Sequence, residues 1–429
     1  MRARGFSLVE LMISVAISLV AVAAGMVLLV GSQRWFQSGV DDRAVQENAR
    51  GAMDEITTNL RAAGYGLEPT FTFDMGLIAN VPMDRLPQGL QARFGGYQCA
   101  DGTCRDKIDG PDELVFYSRD PLWERDVASV GSNALTLVAP RLTPLEAGQV
   151  LQIMCYGSAN QWAWAYVTVS SIDTPNPGNI RVTLQAPTGQ PYDFPTQNAL
   201  LTGQPCFSAG TASVKAFKID RYRYYVQAVD DSTGAQVAWE TPGSRPYLLL
   251  DQGLQDGGQP VLRPIAPDVE DLQVAYVYSE AATGNQVQGA TAGVQVTANV
   301  AGDDTGFNLA PTIGIPTFST PSLDPLRTMH HPANVRAVRL SLTVRTPRAG
   351  VPLVPQNGPC LGNGDPCVPA AFNRPDVAGE GSYRRVEFET TVYTRNLETR
   401  LPVFPQYDPN YATANCCTGA SCAGNCGGG

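Results

Sequence analysis

Residues 5–11 read Gly5-Phe6-Ser7-Leu8-Val9-Glu10-Leu11, and their reading decides the fold. A short basic leader, Met1-Arg2-Ala3-Arg4, stands before them, and an apolar run from Leu11 to Gly31 follows. From Phe6 to Val30 the one charged residue is Glu10. As a helix this stretch spans about 37 Å, enough to cross the hydrocarbon core of a bilayer. Arg2 and Arg4 ahead of the run predict a cytoplasmic N-terminus, with everything after about residue 33 on the far side. A secretory signal peptide would find a small-x-small site at Ala21-Val22-Ala23. Against that reading stand an acidic residue inside the apolar segment and the continuation of the run as Met26-Val27-Leu28-Leu29-Val30. A plain membrane anchor leaves Glu10 unexplained, because a carboxylate within such a segment costs about 2.5–3.5 kcal/mol and usually serves a function.

The leader, the Gly5-Phe6 junction, Glu10 and the apolar run together resemble the type IV prepilin processing motif. The resemblance implies cleavage between Gly5 and Phe6 by a membrane prepilin peptidase and N-methylation of the new Phe6 amine. The spacing makes physical sense. Cleavage creates a positive amine one helical turn from Glu10, and both charges then lie in apolar surroundings, where an unpaired charge is expensive. Pairing Glu10 with the Phe6 amine, most usefully that of a neighbouring subunit, offsets both penalties and gives Glu10 a role in assembly.

Outward from the motif, apolar residues recur at Val45, Ala49, Ala52, Met53, Ile56, Leu60 and Ala63. This is helical spacing, with Asp41, Asp42, Arg43, Glu47, Arg50, Asp54, Glu55 and Arg61 on other faces. The first proline is Pro69, and Gly64-Tyr65-Gly66 supplies a stop. One helix is predicted from about residue 6 to 63, roughly 87 Å long. Residues 6–32 are its transmembrane or filament-core half and 33–64 its amphipathic half. Gln46-Glu47-Asn48-Ala49-Arg50, Ala52-Met53 and Leu60-Arg61-Ala62-Ala63-Gly64-Tyr65 resemble the PilW-type minor pilins, and more weakly the J-type pseudopilins of type II secretion.

After Tyr65 the pattern turns to short β-rich runs. Glycine (42) and proline (33) are abundant, which fits many turns between strands. Strands are expected at 113–119, 134–139, 149–155, 163–172, 179–185, 213–229, 269–279, 334–345 and 384–395. In Val335–Arg345 arginine, serine and threonine interleave with apolar residues, which predicts a half-buried strand with one wet face. The blocks at 112–117, 147–155, 269–276, 335–345 and 395–397 extend the PilW-type resemblance in order. Insertions at 280–330 and 346–382 and a tail after Leu397 depart from it. The fold class is α+β: a type IV pilin-like lollipop, with leader 1–5, long helix, antiparallel β-rich head 65–400 and a Cys/Gly-rich tail 401–429.

The topology puts the ten cysteines in an oxidising compartment, so they are read first as disulfides. Cys99 and Cys104 close a short loop, as do Cys360 and Cys367, which leaves Cys155 with Cys206 as a longer pair. Cys416, Cys417, Cys422 and Cys426 form two tail disulfides of open connectivity; a four-thiolate zinc site is the sharper alternative but lacks a C-x2-C pair. Asp303-Asp304-Thr305-Gly306 and Asn363-Gly364-Asp365 lack full calcium-loop spacing. His330-His331 precede Pro332 and read as loop. No metal, cofactor or catalytic residue is assigned.

The net charge of −10 gives no basic face and argues against nucleic acid as the main partner. The resemblance implies a minor pilin precursor that primes a type IV pilus and sits at or near its tip. It would start in the inner membrane with a periplasmic head. Its partners would be other minor pilins, the major pilin, the prepilin peptidase, the inner-membrane assembly platform and a PilY-type tip adhesin. Adhesion and twitching motility follow from resemblance alone. The alternatives are a type II secretion pseudopilin and a tip adhesin carried on a pilin helix.

Overall fold

The computed structural model describes residues 8–74, 110–138, 145–156, 162–176, 178–186, 195–208, 213–239, 241–278, 335–348, 367–368, 371, 377–378 and 383–398. Its first element, α1 (Leu8–Leu60), is one continuous helix of 53 residues, about 80 Å long. The seven apolar positions at helical spacing, Val45 through Ala63, are all buried. In the turn that follows the helix, an outside residue ties down the chain: the Asn396 side-chain amide donates to Arg61 O (3.4 Å) and Ala63 O (3.1 Å). Gly64 follows at φ +75°, and a Cβ there would lie 2.9 Å from Thr72 Oγ1, so a residue without a side chain makes this stop.

The head strands are β1 (Leu114–Val130), β2 (Ala134–Val138), β3 (Val150–Tyr156), β4 (Trp162–Asn176), β5 (Asn179–Leu184), β6 (Ser213–Asp230), β7 (Ser244–Asp256), β8 (Gln259–Pro267), β9 (Val269–Tyr278), β10 (Val335–Arg345), β11 (Cys367–Val368), β12 (Val377–Ala378) and β13 (Arg385–Tyr393). Two short helices, α2 (Asn198–Gly203) and α3 (Pro205–Ser208), lie between β5 and β6, and α4 (Arg395–Glu398) follows β13. All strand pairings are antiparallel among the described residues.

One sheet runs β1-β2-β5-β4-β3-β6-β7-β8, and β1 also pairs with β6. That extra pairing closes β1, β2, β5, β4, β3 and β6 into a ring, with β7 and β8 continuing outward from the second half of β6. Leu151, Ile153 and Cys155 of β3 alternate inward with Ala163, Ala165, Val167 and Val169 of β4 to fill the ring. A second sheet, β13-β10-β9, joins the outer strands under α1. Val45, Ala49, Ile56 and Leu60 pack there against Leu248, Leu250, Val269, Leu340 and Leu342.

The two sheets meet at Asp268, between β8 and β9. Its backbone has φ +62°, rare outside glycine but tolerated by aspartate. Its N–H donates to Pro246 O (2.7 Å) and its carbonyl accepts from Arg345 N–H (2.9 Å), so it is hydrogen-bonded into both sheets. Its carboxylate, 1% exposed, accepts from Arg245 Nε (3.2 Å) and Nη2 (2.5 Å). These bonds raise the Arg245 pKa above its ordinary value, though burial opposes them. Beside it Glu270, its side chain 8% exposed, takes a bidentate pair from Arg385 (2.5 and 3.1 Å) and a bond from Arg345 Nη1 (3.0 Å).

Two expectations need correcting. β7 and β8 were not foreseen, because Pro246, Pro260, Pro264 and Pro267 break the strand signal; β8 is an edge strand, where proline costs no ladder bond on its open side. The wet face assigned to Val335–Arg345 is largely covered: β10 is the central strand and Ser341 and Thr343 are fully buried, while Arg339 keeps 36% of its side chain exposed. Ser341 Oγ donates to Glu387 Oε1 at 2.6 Å.

Asp268→Ala leaves two arginines facing an empty buried site and should cost about 2–3 kcal/mol in urea unfolding, discounted for the partial exposure of Arg245. Gly148→Ala should cost a similar amount, about 2–3 kcal/mol by the same measurement. At φ +84° its Cβ would lie 1.9 Å from Gly253 O, where β3 begins beside the turn in β7.

Candidate assembly site

The first half of α1 carries the candidate site. Leu8, Val9, Leu11, Met12, Ile13, Val15, Ile17, Leu19, Val20 and Val22 are all more than half exposed, and so are Val27, Leu28 and Leu29 further on. No soluble surface keeps so long an apolar cylinder in water. Its hydroxyls are already satisfied within the helix: Ser14 donates to Leu11 O (2.9 Å), Ser18 to Ser14 O (2.8 Å) and Ser32 to Leu29 O (2.9 Å). Ser14, Ser18 and Ser32 therefore enter an apolar medium already paired. It is long and apolar enough to cross a membrane, with a mean hydropathy of 2.7 in its richest window. Trp35 and Phe36 are exposed at its end.

Glu10 belongs to α1, near the start of the described helix. Gly5 and Phe6 lie outside the described residues, as do Cys99, Cys104, Cys360, Cys416, Cys417, Cys422, Cys426, His330, His331, and the stretches at 303–306 and 363–365. Cys367 opens β11, which pairs with β12. Cys155 and Cys206 are joined by a disulfide, with Cα atoms 5.9 Å apart, inside the ring of strands. Among the described residues no group of three or more His, Cys, Asp or Glu is placed to hold a metal ion.

The second half of α1 is tied to the head by polar contacts along its length. Asp42 pairs with Arg384 (2.7 Å), and Asn48 Nδ2 donates to Pro267 O (3.5 Å). Glu55 pairs with Arg263, and Asn59 Nδ2 donates to Tyr224 Oη (2.7 Å). Burial pushes the Tyr224 hydroxyl well above its ordinary pKa, so it stays protonated beside Asn59 at any physiological pH. Sequence reasoning missed these partners and the arginine–carboxylate cluster around Asp268 and Glu270. The helix partners are 165 or more positions apart, and the cluster draws its members from separate strands, where no local pattern points. The one available signal was the arginine richness of 335–345 and 384–385.

Because the described head packs on the helix from Val45 onward, a chain beginning at residue 33 should be soluble without detergent. It should unfold in urea within about 1 kcal/mol of the full chain in detergent; a larger loss would mean that the apolar half supports the head.

Residues 1–26 match the prokaryotic N-terminal methylation motif. No curated protein matches the chain. No solved structure matches it either. Proteins with this motif are structural pilins rather than enzymes, and the motif implies contact with a prepilin peptidase and with other pilins. The motif and the apolar helix that continues it fit an inner-membrane-anchored subunit and support a type IV pilin-like protein, a pilin or a pseudopilin.

Proposed function

We propose that this chain is the precursor of a PilW-type minor pilin, cleaved between Gly5 and Phe6, that primes assembly of a type IV pilus and sits at or near its tip. The observation that carries the reading is the methylation motif at residues 1–26 running into a helix whose first half is apolar and uncovered. In this reading Glu10 meets the Phe6 amine of the next subunit. The two charges neutralise each other inside the apolar bundle, where either alone is costly. The tip position is supported by size: about 360 residues follow the helix, a bulk that is hard to repeat around a tightly wound shaft. Priming would take place in the inner membrane with other minor pilins and the assembly platform, the head in the periplasm and a PilY-type adhesin as a further tip partner. Candidate disulfides of the head and tail would form there. A J-type pseudopilin of type II secretion uses the same helix physics and is the second reading.

Filaments sheared from the cell surface should contain a peptide starting at N-methylated Phe6, at a ratio to the major pilin of about one to a hundred or less. Mass spectrometry reads both quantities. Processed protein confined to the membrane fraction would favour the pseudopilin. Glu10→Ala should leave processing and membrane insertion intact and remove the protein from filaments; normal incorporation of that variant would sink the role given to Glu10.

A further inference from the structure

The buried apolar residues divide along a line in the chain. Every member of the core under α1 lies outside residues 120–218: Val45–Ala63 of the helix and its neighbours on β1, β6, β7, β8, β9, β10 and β13. Every member of the second core lies within 120–218, from Trp123 to Ala216. The backbone divides at the same place. Arg119 and Ile219 are register partners on β1 and β6, and beyond them β1 bulges before pairing resumes at Glu124 and Phe217. Past that neck the six strands close on themselves and leave no edge. Helices α2 and α3 stop the ring: Leu201, Cys206 and Phe207 fill space left by Ala163, Ala165 and Ala216, and the Cys155–Cys206 disulfide holds α3 to β3. The halves meet at a third cluster, smaller than either core, and at a few polar ties: Gln255 N–H donates to Ala147 O (2.9 Å), Glu68 N–H to Tyr166 Oη (3.1 Å) and Trp164 Nε1 to Glu68 Oε2 (3.2 Å). Leu67, Phe71, Val115, Tyr117 and Ile219 meet Val150 and Tyr166, while Lys218 bridges Asp120 (3.1 Å) and Asp220 (3.2 Å) at the neck.

We propose that residues 120–218 are an inserted β-barrel that forms its own cooperative unit, and that assembly into the filament needs only the remainder. The remainder keeps α1, the core that covers it, the polar ties from Asp42, Asn48, Glu55 and Asn59, and the Asp268 joint. Among the described residues, no buried apolar residue of the insertion belongs to the core that holds Val45–Ala63, so the insertion is free to carry whatever the subunit does at its exposed end. The first half of the proposal stands on the two cores alone. The second rests on the pilin reading above.

Hydrogen exchange on the full chain in detergent tests the first half. In Cys155→Ser/Cys206→Ser, the amides of β3, β4 and β5 should lose protection by about a hundredfold or more. Those of β9, β10 and β13 should stay within about twofold. Ile153→Ala, which leaves the disulfide in place, should give the same division. A loss shared equally by both groups in either variant would overturn the cooperative unit. For the second half, Arg119 is joined to Ile219 through Asn-Gly, a two-residue hairpin turn, with Phe71→Ser where the lost Tyr166 ring would leave Phe71 bare. This variant should appear in sheared filaments at the wild-type ratio. Absence from filaments, with β9, β10 and β13 still protected, would overturn the division of labour. Absence of the wild-type chain itself would instead count against the pilus reading and leave the exchange result standing.

Discussion

A continuous helix with only its second half covered sets the terms for everything else. Its apolar first half has no partner in the described head, so its stable settings are a lipid bilayer or a bundle of similar helices. Its second half is amphipathic and held by the head. The absence of proline before Pro69 keeps the two halves one rigid rod, so the environment chosen by the first half places the second. The head is then obliged to build its core against a helix it cannot surround.

It meets that obligation with two sheets joined at a charged corner. Asp268 is hydrogen-bonded through its backbone to β7 and β10, and its carboxylate faces arginines from both. Burying such a group is unfavourable unless every partner is in place. The corner therefore favours one relative placement of the sheets over looser ones. Glu270, Arg345 and Arg385 repeat the device one step along, with Arg345 lying 4.0 Å from the centre of the Tyr383 ring.

The helix was legible because its signal is local and periodic: Val45, Ala49, Ala52, Ile56 and Leu60 mark the buried face without any reference to what covers them. The site was legible for a different reason. The candidates Gly5, Phe6 and Glu10 form a short linear motif, which lies within the residues 1–26 that match the methylation motif. Individual strands such as β3, β4 and β9 could be read from alternation. How they pair could not. The ring closes only because β1 meets β6, residues about ninety apart, across a bulge that no propensity marks. The prolines of β8 hid a strand, and the serine and threonine of β10 suggested a wet face because nothing local showed that a covering layer would supply a partner such as Glu387 for Ser341. The buried charges were visible in composition but not in place, since their partners come from separate strands.

The polar ties along α1 also decide how the subunit bears load. Asp42, Asn48, Glu55, Asn59 and the carbonyls held by Asn396 meet the head at successive points along one axis. A pull on the rod along that axis loads them together, in shear, rather than peeling them one after another. Individually weak bonds arranged this way share the tension. An anchor built so can transmit force from one end of the molecule to the other while each contact remains cheap to form.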